Sequence, residues 1–492
     1  MGALVALAWT GVASDASARA HGRPTAMARI KKVLARTDVE REEAHPVRAV
    51  EPRLLAWIRA RAPKGVTLSF HEGEVELRYE TKEGDTVPAL AKALLPLSEI
   101  YLASDFTEAL LKANPALRAG IKSGMTLAIP SPVKQAYAEG PEGRLGWPKD
   151  GDLRGVYVRG MTAGGHSYEK LLDHLVDHGM NAIVLDTKDT DGLLTYPSEV
   201  AAAVETGATA HAPIADLSRT IRFAHQRGIR VAMRVSCFHD EWMQHHKAQE
   251  MSVRGKWGGI YPLGWLDPSS EAAHRYLIDL AKEAMDAGAD EVELDYVRYP
   301  VIGIKNADFK LDKIGKTKPE VIRDFVREMH AVTKARGVPL SLDVFGVVAD
   351  GKRVDIDMLG QDVAMLGAEC EALSPMLYPS HYASGYLGFE IPGTHPELVG
   401  VGTKGTVAQL RGESDAPPST HVRPWVQAVS YESPDYGPQY LAQELKSAEA
   451  NGATGWLMWN PSQDYSTAWA AVPRKPAARL EVASSTSDRP AR

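Results

Sequence analysis

Cysteine is nearly absent from this chain: Cys237 and Cys370 are the two cysteines among its 492 residues. Two cysteines cannot form a disulfide framework or a structural zinc site. We therefore expect both to be buried as small apolar side chains. A single bridge between them is the alternative in an oxidising compartment.

Several other features are missing. No segment approaches the roughly 18–20 apolar residues that cross a bilayer, so no transmembrane segment is predicted. The formal charge of −7 offers no basic face, and we expect no nucleic-acid partner. The sequence shows neither the G-x-S-x-G turn of a serine hydrolase nor the Asp and His metal cluster of a polysaccharide deacetylase. No cofactor and no metal are therefore predicted.

The N-terminus carries an export pattern. A short apolar run, Ala3 to Val12, is followed by the A-x-A cleavage pattern Ala18-Arg19-Ala20. The basic segment that normally precedes such a run is missing, so a misassigned start and an Ala-rich tail are the alternatives. We predict a signal peptide at residues 1–20, and export to the periplasm or the extracellular space.

The organisation after this point follows from composition. Residues 21–78 have linker-like composition and stay unassigned, apart from a helix start at Leu54–Ile58 and a weak strand pattern at Val66–Leu77. Residues 132–150 are rich in Pro and Gly, which predicts a linker. Residues 473–492 are predicted to be a disordered tail.

Residues 79–131 show the order strand, helix, helix, strand. The helical patterns are Val87–Leu95 and Phe106–Lys112, and a turn with a short strand follows at Gly120–Pro130. This order and the patterns within it predict a small α+β domain. Extra residues separate the two helices at Leu97–Asp105.

This segment resembles a LysM module on three motifs. They are Gly84-Asp85-Thr86 near the first strand, Asn114-Pro115 after the second helix, and the ending Gly124-Met-Thr-Leu-Ala-Ile129-Pro130. The extra residues at Leu97–Asp105 depart from the family pattern. The resemblance implies binding of a glycan that contains N-acetylglucosamine, such as peptidoglycan or chitin. A generic α/β cap is the alternative.

Eight β-rich runs alternate with amphipathic helical stretches over residues 151–472. Glycines such as Gly179, Gly228 and Gly288 end the helical stretches just before a buried strand, as in the βα repeat of a parallel sheet. Eight such units predict a (β/α)8 TIM barrel. The runs are Gly155–Arg159, Ala182–Asp186, Arg230–Val235, Glu291–Asp295, Leu340–Phe345, Ala372–Tyr378, Trp425–Val429 and Gly455–Trp459.

The active site of such a barrel lies at the carboxyl ends of its strands. Carboxylates and aromatic side chains gather there, which suits a sugar: rings stack on the pyranose and carboxylates act on the glycosidic bond. The candidate substrate-binding residues are Arg159, Lys188, Asp189, Arg298, Tyr378, His381, Gln427, Trp459 and Asn460. Trp242, Trp257, Tyr261 and Trp265 are either a sugar-stacking wall or a small satellite core.

Glycoside hydrolysis needs one protonated and one ionised carboxyl group. Asp295, at the end of the fourth strand, is our candidate for the ionised group, and Arg298 is expected to lower its pKa. Asp343 on the fifth strand is the candidate acid. Asp186 on the second strand is the rival for either role.

The barrel segment resembles the DUF4015 family of bacterial TIM-barrel proteins. The matching stretches are Asp290–Pro300 with its Asp-Tyr-Val-Arg motif, Asn181–Asp189, Ser374–Tyr382 and Gly455–Asn460. The resemblance implies a glycosidase related to the α-amylase type of barrel, in which the Asp of the fourth strand is the nucleophile. That role would fall on Asp295. The chain carries Asp343 where such enzymes carry Glu.

We therefore expect an exported glycoside hydrolase that acts on a cell-envelope or extracellular polysaccharide. A non-catalytic glycan-binding or envelope-scaffold protein on the same barrel is the alternative. An open cleft that holds Asp295 and a second carboxyl group would favour the enzyme, and a plugged cleft would favour the binding protein.

Overall fold

The computed structural model describes residues 52–71, 74–414 and 416–474. The predicted signal peptide and nearly all of the predicted C-terminal tail lie outside these residues. Cys237 and Cys370 are both free and buried, in agreement with the composition argument. None of the described helices is long and apolar enough to cross a membrane.

Eight parallel strands close into a barrel, as the sequence predicts. Each strand pairs with its neighbours in chain order, and the eighth pairs with the first, for example through Leu457 and Gly155. The strands are β1 (Leu153–Val158), β2 (Ala182–Lys188), β3 (Arg230–Ser236), β4 (Glu291–Asp295), β5 (Leu340–Phe345), β6 (Ala372–Met376), β7 (Trp425–Gln427) and β8 (Gly455–Trp459).

A ring of helices surrounds the strands and buries their outer faces. The helix Glu271–Ala287 shows how the sequence sets its bounds: the Ser270 hydroxyl accepts from the Ala273 N–H, and Gly288 ends the helix with φ of 106°. The principal helices are Ser167–Asp177, Leu217–His225, Glu271–Ala287, Lys318–Ala335, Arg353–Leu359, Val363–Gly367, Leu398–Arg411, Pro438–Ala450 and Ser466–Ala471.

The N-terminal part has the predicted strand–helix–helix–strand order. The strands Glu74–Glu80 and Thr126–Ala128 pair antiparallel, and the helices Val87–Leu94 and Ala103–Ala113 lie between them in the chain. Residues that the sequence left unassigned extend this unit. They form the helix Pro52–Arg61 and a further strand, Val66–His71, paired with Glu74–Glu80.

The extra residues between the two N-terminal helices contact the barrel. Tyr101 is buried; its hydroxyl donates to the Ala163 carbonyl at 2.5 Å, and its ring lies 4.8 Å from that of Phe223. The Arg219 guanidinium of the barrel donates to the carbonyls of Ser98 and Ile100. The extra residues that depart from the LysM pattern therefore form part of the contact between the two domains.

The second half of the predicted linker, residues 140–150, lies against the amino ends of the strands, whereas Val133 is buried in the core of the N-terminal domain. The Asp290 carboxylate accepts from the N–H groups of Leu145 and Gly146 at 2.6 and 2.9 Å. The Trp147 indole donates to Glu291, which also pairs with the buried Arg423. This segment closes the end of the barrel opposite the predicted active site.

Candidate active site

An open cavity of about 630 Å³ lies at the carboxyl ends of the strands. Eight of the residues singled out in the sequence line it: Arg159, Asp189, Asp295, Arg298, Asp343, Tyr378, His381 and Trp459. Lining residues that the sequence analysis missed include Tyr157, Arg234, Phe345, Met376, Tyr382 and Trp425.

Asp295 ends β4 and points into this cavity, with both of its carboxylate oxygens hydrogen-bonded. Arg234 of the neighbouring β3 donates to Oδ2 from Nη2 at 2.7 Å and from Nε at 3.2 Å. The Tyr296 N–H donates to Oδ1 at 2.6 Å. A charge-assisted pair of this kind fixes the orientation of the carboxylate.

Arg298 does not give Asp295 the support that we expected from the sequence. Its guanidinium lies over the rings of Trp265 and Phe345, at 4.6 and 4.4 Å from their centroids, and donates to the Tyr299 carbonyl. Among the described residues, no ion pair joins it to Asp295. The following Tyr296 turns the chain with φ of 49°, and this turn carries Arg298 away from the carboxylate.

Asp186 does not line the cavity. It lies beneath Arg234, which donates to its Oδ1 from Nη1 at 2.5 Å, and the Tyr157 hydroxyl donates to its Oδ2 at 2.7 Å. Burial raises the pKa of the Asp186 carboxyl. Its position suits a residue that orients Arg234 and Tyr157, and not one that contacts a substrate.

Asp343 lies at the floor of the cavity, on β5 next to β4, and is 1% exposed. Leu342 and Leu294 pair in register, so Asp343 and Asp295 follow at the same height on adjacent strands. Its Oδ1 accepts from the Trp425 indole at 2.7 Å. Burial, Glu293 and Asp295 raise the pKa of Asp343 well above its usual range, which favours a protonated acid.

Glu293 is a further buried carboxyl group that the sequence analysis did not single out. It precedes Asp295 by two residues, on the same inward face of β4, and its Oε1 has no hydrogen-bond partner within the described part of the chain. Arg423 Nη2 lies 3.7 Å from its Oε2. Burial raises the pKa of Glu293, and Glu291 and Asp295 raise it further.

Three candidate substrate-binding residues form hydrogen bonds or ion pairs away from the cavity. Lys188 is fully buried and pairs with Asp240 at 2.9 Å, because the strand register shifts between Asp186 and Lys188 and turns its side chain away from the cavity. Gln427 and Asn460 are also buried, and their amide groups bind loop backbone, including Ser380 N and Ala428 O. None of these three residues lines the cavity.

The four aromatic residues of the long loop after β3 do not form one wall. Trp265 is 6% exposed and stacks on His239 at 4.9 Å, and Trp242 donates its indole N–H to the Thr206 carbonyl. Tyr261 packs against the same core. Trp257 is 63% exposed. Three of the four rings therefore pack with the barrel core and not as a separate satellite core, and Trp257 is exposed.

Comparisons with solved structures gave matches of low similarity. A hypothetical protein from Ruminiclostridium thermocellum ATCC 27405 is 34% identical over 38% of this chain and 97% of its own, with a TM-score of 0.34. The PgaB (BpsB) glycoside hydrolase domain from Bordetella bronchiseptica is 13% identical over 66% of this chain and 99% of its own, with a TM-score of 0.48.

An endo-1,4-beta-D-mannanase from Thermotoga petrophila RKU-1 is 12% identical over 63% of this chain and 88% of its own, with a TM-score of 0.41. These likenesses transfer no substrate or mechanism to this chain. A search of curated proteins found no match. The model of the DUF4015 family, described as "Putative glycosyl hydrolase domain", matches residues 155–465, which is more than half of the chain. The protein therefore belongs to the DUF4015 family.

Proposed function

We propose that this protein is a glycoside hydrolase that cleaves a cell-envelope or extracellular polysaccharide with Asp295 and Asp343. One observation carries the proposal: two carboxyl groups in opposite electrostatic settings face the same open cavity. Asp295 is paired with Arg234, whereas Asp343 is buried and has no cationic partner among the described residues. Glycoside hydrolysis requires such an unequal pair.

The roles follow from these settings. Asp343, kept protonated by burial and by its acidic neighbours, donates a proton to the departing glycosidic oxygen. Asp295, held in place by Arg234, attacks the anomeric carbon or activates a water molecule. Arg234 positions Asp295 and stays paired with Asp186, so it moves little during the reaction.

The cavity walls support a sugar as the ligand. Tyr378, Trp425 and Trp459 supply aromatic faces, and Arg159 and Asp189 supply polar groups near the opening. A non-catalytic glycan-binding protein is the alternative. An open cavity with a second carboxyl group beside Asp295 favours the enzyme.

We extend the proposal to the N-terminal domain and to the location of the protein. The strand–helix–helix–strand unit at 74–128 and its sequence motifs support a LysM-like module that binds a glycan containing N-acetylglucosamine. Export to the periplasm or the extracellular space would bring both domains to such a glycan.

A screen of the full chain against peptidoglycan, α-glucans and amino-sugar exopolysaccharides, read by mass spectrometry of released fragments, tests the proposal. On any glycan that is cleaved, we expect Asp295→Asn and Asp343→Asn to lower turnover by about 10³-fold or more. The matched control is Asp464→Asn, because Asp464 is exposed and lies outside the cavity wall. Native turnover in Asp295→Asn would disprove the assignment.

A further inference from the structure

Aromatic rings form a connected series that leads out of the cavity. The ring of Tyr378 lies 5.1 Å from that of His381, and the ring of His381 lies 5.6 Å from that of Tyr431. Trp459 borders the start of the series, 5.5 Å from Tyr378. Tyr431 itself is not part of the cavity wall.

Exposure increases along this series. Tyr378 is 9% exposed at the cavity floor, whereas His381 is exposed and Tyr431 is 55% exposed. A ring system that ends in solvent extends the apolar surface of the cavity beyond its opening. The step of 5 to 6 Å between neighbouring rings is comparable to the length of one sugar unit in a polysaccharide.

The loop that carries Tyr431 is held in one conformation. Glu432 adopts φ of 43°, in the left-handed region that non-glycine residues rarely occupy. Its carbonyl oxygen lies 2.0 Å from where a Cβ on Gly393 would stand, so the two loops touch. The Gln427 amide donates to the Ser433 hydroxyl at 2.9 Å and ties the loop to β7. The backbone beside the exposed ring is therefore held by contacts within the protein.

We propose that Tyr431, supported by His381, forms an additional sugar-binding subsite outside the cavity, so that the ligand is a polysaccharide chain running from Tyr378 outward over Tyr431. This inference rests on the proposed function, because it assigns a chain and not a single sugar to the same cavity. The sugar at Tyr431 is bound by stacking on an aromatic face. The subsite adds binding energy far from the carboxyl groups.

Binding measurements on oligosaccharides of increasing length test the subsite. The Asp295→Asn variant of the full chain is titrated calorimetrically with oligosaccharides of glucose, glucosamine and N-acetylglucosamine, from the disaccharide to the hexasaccharide. We expect affinity to rise with length. Adding Tyr431→Ala should weaken the longest ligand about 3- to 10-fold and leave the shortest unchanged. Tyr431→Phe, which keeps the ring, should retain the rise with length.

The control for a general surface effect is Val354→Ala, another exposed apolar side chain, 70% exposed on the helix Arg353–Leu359. Equal loss of affinity for short and long ligands in Tyr431→Ala, or no binding of any oligosaccharide, would overturn the subsite. A length-dependent loss in a protein that hydrolyses none of these glycans would keep the subsite and refute the proposed hydrolysis.

Discussion

Arg234 holds Asp295 from the neighbouring strand through two nitrogens on one carboxylate oxygen, at 2.7 and 3.2 Å. Its remaining terminal nitrogen lies 2.5 Å from Asp186. One buried cation on β3 thus forms ion pairs with Asp186 on β2 and Asp295 on β4. The orientation of the candidate nucleophile therefore depends on this arginine as well as on the Tyr296 N–H.

Removal of Arg234 is expected to destabilise the barrel strongly. Arg234→Met leaves two buried carboxylates without their cation, which costs on the order of 3–5 kcal/mol in the free energy of unfolding. Arg234→Lys keeps the charge but cannot bond both carboxylates from one planar group, so we expect a smaller loss of stability together with reduced turnover. Urea unfolding and steady-state kinetics measure the two effects.

The control for this pair is Arg275→Met, because Arg275 forms an exposed pair with Glu271 on the surface of the helix Glu271–Ala287. An exposed pair of this kind contributes about 0.3–0.5 kcal/mol. Equal stability of Arg234→Met and the native protein would contradict the role assigned to Arg234.

The pH dependence of turnover should report Asp343. Because burial and the neighbours Glu293 and Asp295 raise its pKa, Asp343 stays protonated above the usual range of an aspartate. Activity is therefore expected to fall on the alkaline side, as Asp343 ionises. Glu293→Gln removes a neighbouring carboxyl group that opposes this ionisation, so the alkaline limb of kcat/KM should move to lower pH.

Glu444→Gln is the matched control for that shift. Glu444 is also a fully buried glutamate, on the helix Pro438–Ala450, but it is not among the groups that raise the pKa of Asp343. The alkaline limb should stay in place in this variant. An unmoved limb in Glu293→Gln would show that Glu293 does not act on the candidate acid.

The strands were predictable because each is a short apolar run between helical patterns, and all eight occur where the sequence placed them. The positions of Asp295 and Asp343 could be predicted from the same pattern, because these residues lie at or near the ends of such runs. Arg234 was missed although a signal exists. It lies two residues before Ser236 on β3, so both side chains point to the same, inner face of the barrel. Lys188 does not line the cavity, because the bulge on β2 interrupts the alternation of inward and outward side chains, and the sequence does not reveal a bulge.

Glu444 is expected to destabilise the protein at neutral pH. Both of its carboxylate oxygens lack hydrogen-bond partners among the described residues, and burial raises its pKa well above the usual range. The folded protein thus holds a proton that the unfolded chain releases, so stability declines as pH rises from the ordinary glutamate pKa of about 4.3 towards the raised value.

Glu444→Gln should therefore raise the free energy of unfolding by on the order of 1–3 kcal/mol at neutral pH and flatten its decline with pH. Urea unfolding of both proteins between pH 4 and pH 8 measures the difference. A constant difference across this range would show that ionisation of Glu444 is not its source.

A substitution at the contact between the two domains should separate them. Tyr101→Ala removes a buried ring packed on Phe223 and Tyr168, at a cost of about 3–5 kcal/mol. We expect the N-terminal domain to detach and the scattering radius to increase. Tyr101→Phe loses the hydroxyl bond to Ala163 but keeps the ring, so its domains should stay together. An unchanged scattering profile in Tyr101→Ala would contradict this account.

The docking of the N-terminal domain through Tyr101 and Arg219 has a geometric consequence for a ligand that reaches both domains. A flexible tether would let the two domains sample many separations. The effective concentration of the bound ligand at the second domain would then vary over a broad range. The fixed contact replaces that range by one separation and one angle. If a glycan bound to the first domain, the barrel would contact it at a constant number of sugar units from the bound end.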